Sequence, residues 1–400
     1  MQTTIAKKYQ NQAYIQEAES ILRACVHCGF CTATCPTYQL FNDELDGPRG
    51  RIYLIKDLLE GSKVTKKTQL HLDRCLTCLA CETTCPSGVR YGKLIETGRE
   101  LVEKKVGRSI GSRLQRMLML FFIPHSGRFR FVLSLGRGFK YILPRHIKNK
   151  IPEKPKLEET KQTNHARKMI IFEGCVQPVV SPEINNAVAR VLDRSGISLI
   201  GIKEAGCCGA MHHHMASNRK SLKMIRNNID AWWPHIESGA EAIVMTASGC
   251  GVMLKDYGDL LKHDQQYADK AKRISELTRD ISEIVSTESA NVIENQGQGR
   301  KVAFQSPCTL QHGQQITGVV ESLLERAGYH LTEVPDSHLC CGSAGTYSLL
   351  QPVISGQLLT NKLTALQSGT PEIIATANIG CHMNLAGSSD LPVKHWIELL

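Results

Sequence analysis

Two kinds of periodicity divide the chain. Up to about residue 105 the apolar positions recur with helical spacing. Residues 1–24 form a polar lead-in with Ala18, Ile21 and Leu22 available for packing. A turn-rich run, Asp43–Arg51, opens into Ile52–Leu59, which has helical period and stops at Gly61; Leu70 and Leu72 lead into a second cysteine-rich run, and Lys93–Lys105 reads as another helix. From residue 168 short apolar runs alternate with helical ones. Met169–Phe172 reads as a buried strand, Ile184–Arg194 as a helix, Ser198–Ile200 as a strand, Ser217–Ile236 as a long helix and Glu241–Thr246 as a strand. The same order returns after residue 300, with strands at Lys301–Phe304 and Glu372–Thr376. Strands alternating with helices imply parallel pairing through crossover connections. The expected class is α+β multidomain: an all-helical N-terminal domain followed by two duplicated α/β domains.

The stretch between these regions differs in charge. The chain carries a net charge of +10, yet between Glu103 and Glu153 there is no acidic residue against twelve Lys and Arg. The excess therefore describes one surface and not the whole protein. Leu114, Met117, Leu118, Leu120, Phe121 and Phe122 form a short apolar run. Phe129, Phe131, Val132, Leu135, Phe139 and Tyr141 then alternate with Arg128, Arg130, Arg137 and Lys140. Such a stretch suits an interfacial helix on an anionic membrane, or a helical linker packed on its own domains or on a partner subunit. No recognised nucleic-acid module accompanies the charge, which argues against nucleic acid as a partner. No run reaches the roughly 18 apolar residues needed to span a bilayer. Residues 151–167 are charged, proline-containing and aperiodic. The expected organisation is a helical domain at 1–105, a basic aromatic linker at 106–167, α/β repeats at 168–262 and 301–400, and a connector at 263–300.

Sixteen cysteines change the picture. Eight form one pattern written twice: Cys25-x-x-Cys28-x-x-Cys31-x-x-x-Cys35-Pro36 and Cys75-x-x-Cys78-x-x-Cys81-x-x-x-Cys85-Pro86. Three thiolates at every third residue wrap one face of an iron–sulfur cube, and in two-cluster ferredoxins the fourth cysteine ligates the other cluster. One [4Fe–4S] cluster is thus assigned to Cys25, Cys28, Cys31 and Cys85, and a second to Cys75, Cys78, Cys81 and Cys35. Zinc has no use for the third cysteine or the trailing Cys-Pro. The chain also opens without a secretory signal peptide, which argues against disulfides. Arg49 and Arg51 either offset cluster charge or are ordinary surface arginines. His27 reads as a hydrogen-bonding or solvent-facing residue, not as a ligand.

The other eight cysteines repeat too. Cys207 follows Cys175 by 32 positions and Cys340 follows Cys308 by 32, while Cys250 follows Cys208 by 42 and Cys381 follows Cys341 by 40. This is an internal duplication with a period of about 133 residues. Each cysteine lies just after an expected strand or in a Gly-flanked loop, where open α/β sheets collect ligands. Adjacent cysteines rarely bond to each other without strain, so Cys207-Cys208 and Cys340-Cys341 more naturally offer thiolates to a metal. Cys175, Cys207, Cys208, Cys250, Cys308, Cys340, Cys341 and Cys381 are candidate ligands of a third iron–sulfur cluster. The competing readings are a zinc site or reduced, buried cysteines. His212, His213 and His214 are expected in a solvent-exposed loop, with a mixed-ligand role as the alternative.

Two ferredoxin motifs followed by two Cys-Cys-Gly repeats resemble the group that contains heterodisulfide reductase, anaerobic glycerol-3-phosphate dehydrogenase and lactate-utilisation iron–sulfur subunits. Closer in, the chain resembles the iron–sulfur subunits of bacterial glycolate oxidase (glycolate dehydrogenase). The residues carrying this likeness are Ile21–Tyr38, Asp46–Tyr53, Asn227–Pro234, Thr246–Gly251 and Pro335–Tyr347. One departure matters: where the wider family often ends each repeat with Cys-x-x-Cys, this chain has Ala247 and Asn378 at the earlier position. The non-cubane clusters of heterodisulfide reductases therefore do not carry over.

The resemblance implies a division of labour. FAD-binding partner subunits take electrons and protons from glycolate, giving glyoxylate. This chain accepts the electrons one at a time and passes them toward a quinone at the membrane, from a cytoplasmic position peripheral to the inner membrane. It has no catalytic residue of its own and is not expected to oxidise glycolate alone. The absence of a strand-linked Gly-x-Gly-x-x-Gly agrees with that division. Alternatives are an equivalent subunit of a lactate or glycerol-3-phosphate dehydrogenase, a heterodisulfide-reductase-like catalytic subunit, or a metal-containing regulator that binds nucleic acid through residues 104–150.

Overall fold

Helical spacing in the first hundred residues becomes a set of short helices on a common core. In the computed structural model, which describes residues 1–10, 12–139, 151–155, 163–288 and 293–400, the chain divides into two units. One comprises Met1–Arg116 with His338–Leu358, the other Met117–Ser337 with Leu359–Leu400. In the first, helices Ala13–Ala24, Pro48–Leu59 and Tyr91–Val106 share a core that includes Ala18, Ile21, Leu22, Ile55, Leu58, Leu94 and Ile95. Two glycines permit the close approach. A Cβ on Gly98 would stand 2.6 Å from Ile55, and one on Gly50 would stand 2.1 Å from the Glu44 carbonyl oxygen.

The second unit holds two four-stranded parallel sheets. The first contains β1 (Arg167–Ile171), β2 (Ile197–Gly201), β3 (Ile243–Met245) and β4 (Thr278–Asp280) in the order β2-β1-β3-β4. The second contains β5 (Lys301–Gln305), β6 (His330–Leu331), β7 (Ile373–Thr376) and β8 (Val393–His395) in the order β6-β5-β7-β8. The apolar runs anticipated from sequence form β1, β2, β3, β5 and β7. Strands β4, β6 and β8 are too short and polar to announce themselves, and β4 arises within 263–300, the segment read as a connector. In both sheets the strand order reverses beside the first strand, between β1 and β3 and between β5 and β7. Crevices at the carboxyl ends of the strands open at such points.

The two sheets share one core, to which Val244, Ala247, Phe304, Ala375, Trp396 and Ile397 all belong. At its centre His395 is fully buried; its Nε2–H donates to the Thr246 carbonyl at 2.9 Å, and its Nδ1 accepts the Ile397 N–H at 3.4 Å. Both ring nitrogens are satisfied in the neutral form, and burial pushes the folded pKa from 6.5 down to about 3. Between those two values the unfolded chain binds the extra proton and the folded one does not. This contribution to stability is thus intact above pH 6.5 and lost progressively as the pH falls toward 3. Thermal melts at pH 7.5 and pH 5 should differ by about 2 kcal/mol from this residue. His395→Gln should flatten that part of the pH dependence, and an unchanged slope would remove His395 as its origin.

The basic stretch folds as helices Ile110–Phe122 and Ser126–Gly138. Leu133 is buried and Phe129 packs against the core of the second unit. Met117, Phe121, Phe131, Leu135 and Phe139 remain 47–61% exposed. Lys140, Tyr141 and the rest of the stretch to residue 150 lie outside the described residues, as do 156–162 of the expected linker. Among the described residues no helix is long and apolar enough to cross a membrane.

Candidate metal centres

The two cysteine runs fold alike. Left-handed backbone at His27 (φ 57°) and Gly29 (φ 87°) recurs at Thr77 (φ 53°) and Leu79 (φ 64°). These reversals bend each run before a single helical turn, Phe30–Ala33 or Ala80–Thr83. That turn carries the chain on to the fourth cysteine, where Pro36 opens helix Pro36–Phe41 in the first run. One pocket is lined by Cys25, Cys28, Cys31 and Cys85, together with Cys81, Arg49, His27 and Tyr91; Cys35 is not among its lining residues. Burial, followed by the neighbouring Cys25, Cys85 and Cys28, pushes the Cys31 thiol up to about 11. The Cys81 thiol is likewise raised by burial and then by Cys78, Cys75 and Cys35. Each set thus groups three thiols of one run with the fourth of the other. Thiols crowded enough to suppress one another's ionisation are a donor set suited to a multi-iron group, which takes them as thiolates.

The second set sits among buried charges. Arg51 is 1% exposed; its guanidinium donates to the His71 carbonyl at 2.8 Å and to Thr37 Oγ1 at 3.1 Å, with Asp46 at 3.5 Å. The fully buried Asp46 accepts from Arg74 at 2.6 Å and lies 3.0 Å from His71 Nδ1. Burial works against a thiolate at Cys75. Arg51 and Arg99, with hydrogen bonds from the Tyr91 hydroxyl (3.6 Å) and the Thr77 N–H (3.4 Å), outweigh it and bring the Cys75 pKa down. Cys35 Sγ lies 3.3 Å from Thr37 Oγ1. The surface reading of Arg51 therefore fails, because its partners at 37, 46 and 71 enclose it. Arg49 does remain partly exposed, paired to Glu44 at 2.6 Å. His27 stacks on Tyr53 with ring centroids 4.6 Å apart.

In the first α/β repeat four thiols meet at the carboxyl edge of the sheet. Cys175 follows β1, Cys207 and Cys208 follow β2, and Cys250 lies in the first turn of helix Ser248–Lys255 after β3. Hydrogen bonds link Cys175 to Cys207, Cys207 to Cys208 and Cys208 to Cys250. Cys207 accepts from both its neighbours and from the Gly209 N–H, which depresses its pKa, while those of Cys175 and Cys208 rise. The loop is held by Asn228, which donates to the Cys207 carbonyl (3.0 Å) and accepts the Gly206 N–H (2.8 Å), and by the Tyr257 hydroxyl on the Cys208 carbonyl (2.9 Å). Gly209 takes φ +91°, and a Cβ there would meet Ser221 Oγ at 2.9 Å.

Among the described residues the trio of potential ligand atoms lying mutually within 4.8 Å is Asp43, Asp46 and His71. No three of the repeat's sulfurs therefore reach the roughly 3.8 Å separation that tetrahedral Zn–S bonds of about 2.3 Å impose. Consecutive sulfurs of the repeat are nonetheless within hydrogen-bond reach of one another. The Asp46 carboxylate in that trio is already held by arginines.

His212 corrects the expectation of an exposed histidine loop. It is 2% exposed within the short helix Ala210–His214, and its Nδ1 has no hydrogen-bond partner; His214 alone of the three is exposed. In the second repeat, Cys308 and Cys381 are buried in the second unit, and Cys340 and Cys341 are buried in the first. Asn378 donates to Cys381 Sγ at 3.6 Å and accepts the Gly249 N–H at 3.2 Å, so the residue standing in place of a cysteine joins the two repeats. Tyr347, from the segment that carries Cys340, donates to the Arg74 carbonyl at 2.9 Å. Burial raises its phenol pKa, with Cys75 and Cys340 both contributing.

The 4Fe-4S dicluster domain family matches residues 21–89, and the cysteine-rich domain family matches residues 169–255 and 302–386. The glycolate oxidase iron-sulfur subunit of Escherichia coli K12 is 54% identical, over 100% of this chain and 98% of that protein. A probable glycolate oxidase iron-sulfur subunit of Bacillus subtilis 168 is 28% identical over 95% of this chain and 91% of its own length. Lactate utilization protein A of Bacillus licheniformis is 24% identical, over 58% of this chain and 98% of its own length.

Proposed function

Because the chain belongs to the family of glycolate oxidase iron–sulfur subunits, we propose that it is the electron-transfer subunit of a flavin-dependent complex that oxidises glycolate to glyoxylate. The observation that carries this reading is the pair of adjoining thiol sets. Cys81 and Tyr91 line the pocket of the first set, and Tyr91 also donates to Cys75 of the second. Cys25, Cys28, Cys31 and Cys85 would hold one [4Fe–4S] cluster, and Cys35, Cys75, Cys78 and Cys81 the other. Cys175, Cys207, Cys208 and Cys250 would hold a third iron–sulfur group, with Cys308, Cys340, Cys341 and Cys381 as the corresponding residues of the second repeat. A bound [4Fe–4S] cluster supplies one-electron chemistry at a potential tuned by charge and by hydrogen bonds to its sulfurs. This chain's contribution to that tuning is Arg51 and Arg99 near Cys75, the Tyr91 hydroxyl and the Thr77 N–H on its sulfur, and Thr37 beside Cys35.

Glycolate oxidation removes two electrons and two protons, a step that belongs to FAD-binding partner subunits. The onward acceptor is a quinone. Helices Ile110–Phe122 and Ser126–Gly138, whose exposed apolar side chains are interleaved with arginines and no acids, would rest on the cytoplasmic face of the inner membrane. Anaerobically purified protein should contain about eight irons and eight labile sulfides per chain for the two ferredoxin-type centres, about twelve with a third, and no zinc. Glycolate should bleach their absorbance only when the flavin-bearing subunits are added. Bleaching by glycolate with the isolated chain, or fewer than about four irons, would overturn the proposal.

A further inference from the structure

We propose that the flavin-bearing subunit docks on the face of the first unit formed by Val26, Phe30 and Tyr53 around the exposed thiol of Cys28. The inference rests on the electron-transfer reading above and adds which of the two cysteine sets meets that partner. Cys28 is exposed, whereas in the other set Cys35, Cys75 and Cys81 are buried and Cys78 is half-buried. Three large apolar side chains stand near it in solvent: Val26 at 66%, Phe30 at 61% and Tyr53 at 47% exposure. His27 ties them together, since it precedes Cys28 in the same turn and stacks on Tyr53.

The second set borders a different segment. Tyr347 contacts the Arg74 carbonyl and is influenced by both Cys75 and Cys340, so the inner set borders the segment bearing Cys340-Cys341. Electron transfer between proteins requires the donor and acceptor groups to approach closely. The set with the more exposed ligand, Cys28 against the half-buried Cys78, is therefore the one an external redox protein reaches more closely.

Charge selects the occupant. The cations of this face are engaged, Arg49 with Glu44 at 2.6 Å, Lys56 with Glu60 at 2.6 Å, and the Met1 ammonium with the Arg23 and Cys25 carbonyls at 3.0 and 2.8 Å. A face of exposed aromatics whose cations are already engaged suits a protein interface with buried anchors. An anionic bilayer is matched instead by the helices carrying Arg128, Arg130 and Arg137. In the docked complex each electron would leave the reduced flavin of the partner, whose protons pass to solvent, and enter this chain at the Cys28 side.

The test titrates the flavin-bearing subunits with iron-loaded full-length chain carrying Phe30→Glu or Tyr53→Glu, reading binding directly and iron content in parallel. Each substitution should weaken binding at least about tenfold with iron retained. Should Phe30→Glu lose iron, Tyr53→Glu, on a helix without cysteines, carries the test. Phe131→Glu serves as the control: it should lower binding to vesicles containing anionic lipid and leave subunit binding unchanged. Wild-type affinity in the iron-loaded Tyr53 variant, or loss of subunit binding in the Phe131 variant, would overturn the docking face. Failure of the wild-type chain to bind any flavin-bearing subunit would instead overturn the functional reading on which it rests.

Discussion

Cys85→Ser should eliminate the centre that contains Cys28, and Cys35→Ser the centre that contains Cys78. The pocket around Cys25, Cys28 and Cys31 includes Cys85 and not Cys35, and Cys81, whose ionisation is suppressed first by burial, has Cys78, Cys75 and Cys35 as its next-ranked influences. Each loss should lower the iron content from about eight to about four per chain in a form without a third centre. Stoichiometry alone does not identify which centre has gone, so two reference variants are needed. Cys28→Ser damages the first set whatever the crossing, and Cys78→Ser the second. In reduced samples studied by electron paramagnetic resonance, Cys85→Ser should leave the signal that Cys28→Ser leaves, and Cys35→Ser the signal that Cys78→Ser leaves. The reverse matching would mean that each run closes its own cluster. That outcome is hard to reconcile with the single helical turn that contains the third cysteine of each run and carries the chain on to the fourth. The effect should extend to folding, because Cys25, Cys75 and Cys81 belong to the same hydrophobic cluster as Leu22, Ile55 and Leu94.

The parts of this architecture that sequence made legible are those fixed by local spacing. The cysteine runs were readable because ligand spacing is a property of a dozen consecutive residues. Strands β1, β3, β5 and β7 were readable because a strand buried on both faces is written as an unbroken apolar run. Features that depend on distant partners were not. Arg51 looked like one arginine of a turn, and nothing nearby announced that residues 14 and 20 positions away, Thr37 and His71, would enclose it. His212 lies in a polar run, and its burial is a tertiary property. Strand β4, Thr-Arg-Asp, has no alternation to detect, and only its neighbour β3 makes it a strand. That residues 338–358 group with the helical unit was equally invisible, since they belong by sequence to the second repeat.

Arg51 also carries the second large effect. Arg51→Met removes one partner from a buried charged network and leaves Asp46 dependent on Arg74 and His71, with the His71 carbonyl and Thr37 hydroxyl deprived of a donor. Breaking a buried pair in this way costs about 3–5 kcal/mol, because the surviving charge remains desolvated. Arg49→Met offers the contrast. Its pair with Glu44 has side chains 37% and 41% exposed, and solvent-screened pairs of that kind contribute about 0.5 kcal/mol or less. Anaerobic denaturant unfolding, followed by helical circular dichroism, should therefore separate two arginines that are neighbours in sequence. The Arg51 variant should in addition lose the centre that contains Cys75 more readily than the one that contains Cys28, since Arg51 counters the burial of Cys75. Equal, small effects at both positions would mean that the network around Asp46 repacks without its buried guanidinium. The thiolates of the second set would then owe their stability to Arg99, Tyr91 and backbone N–H groups alone.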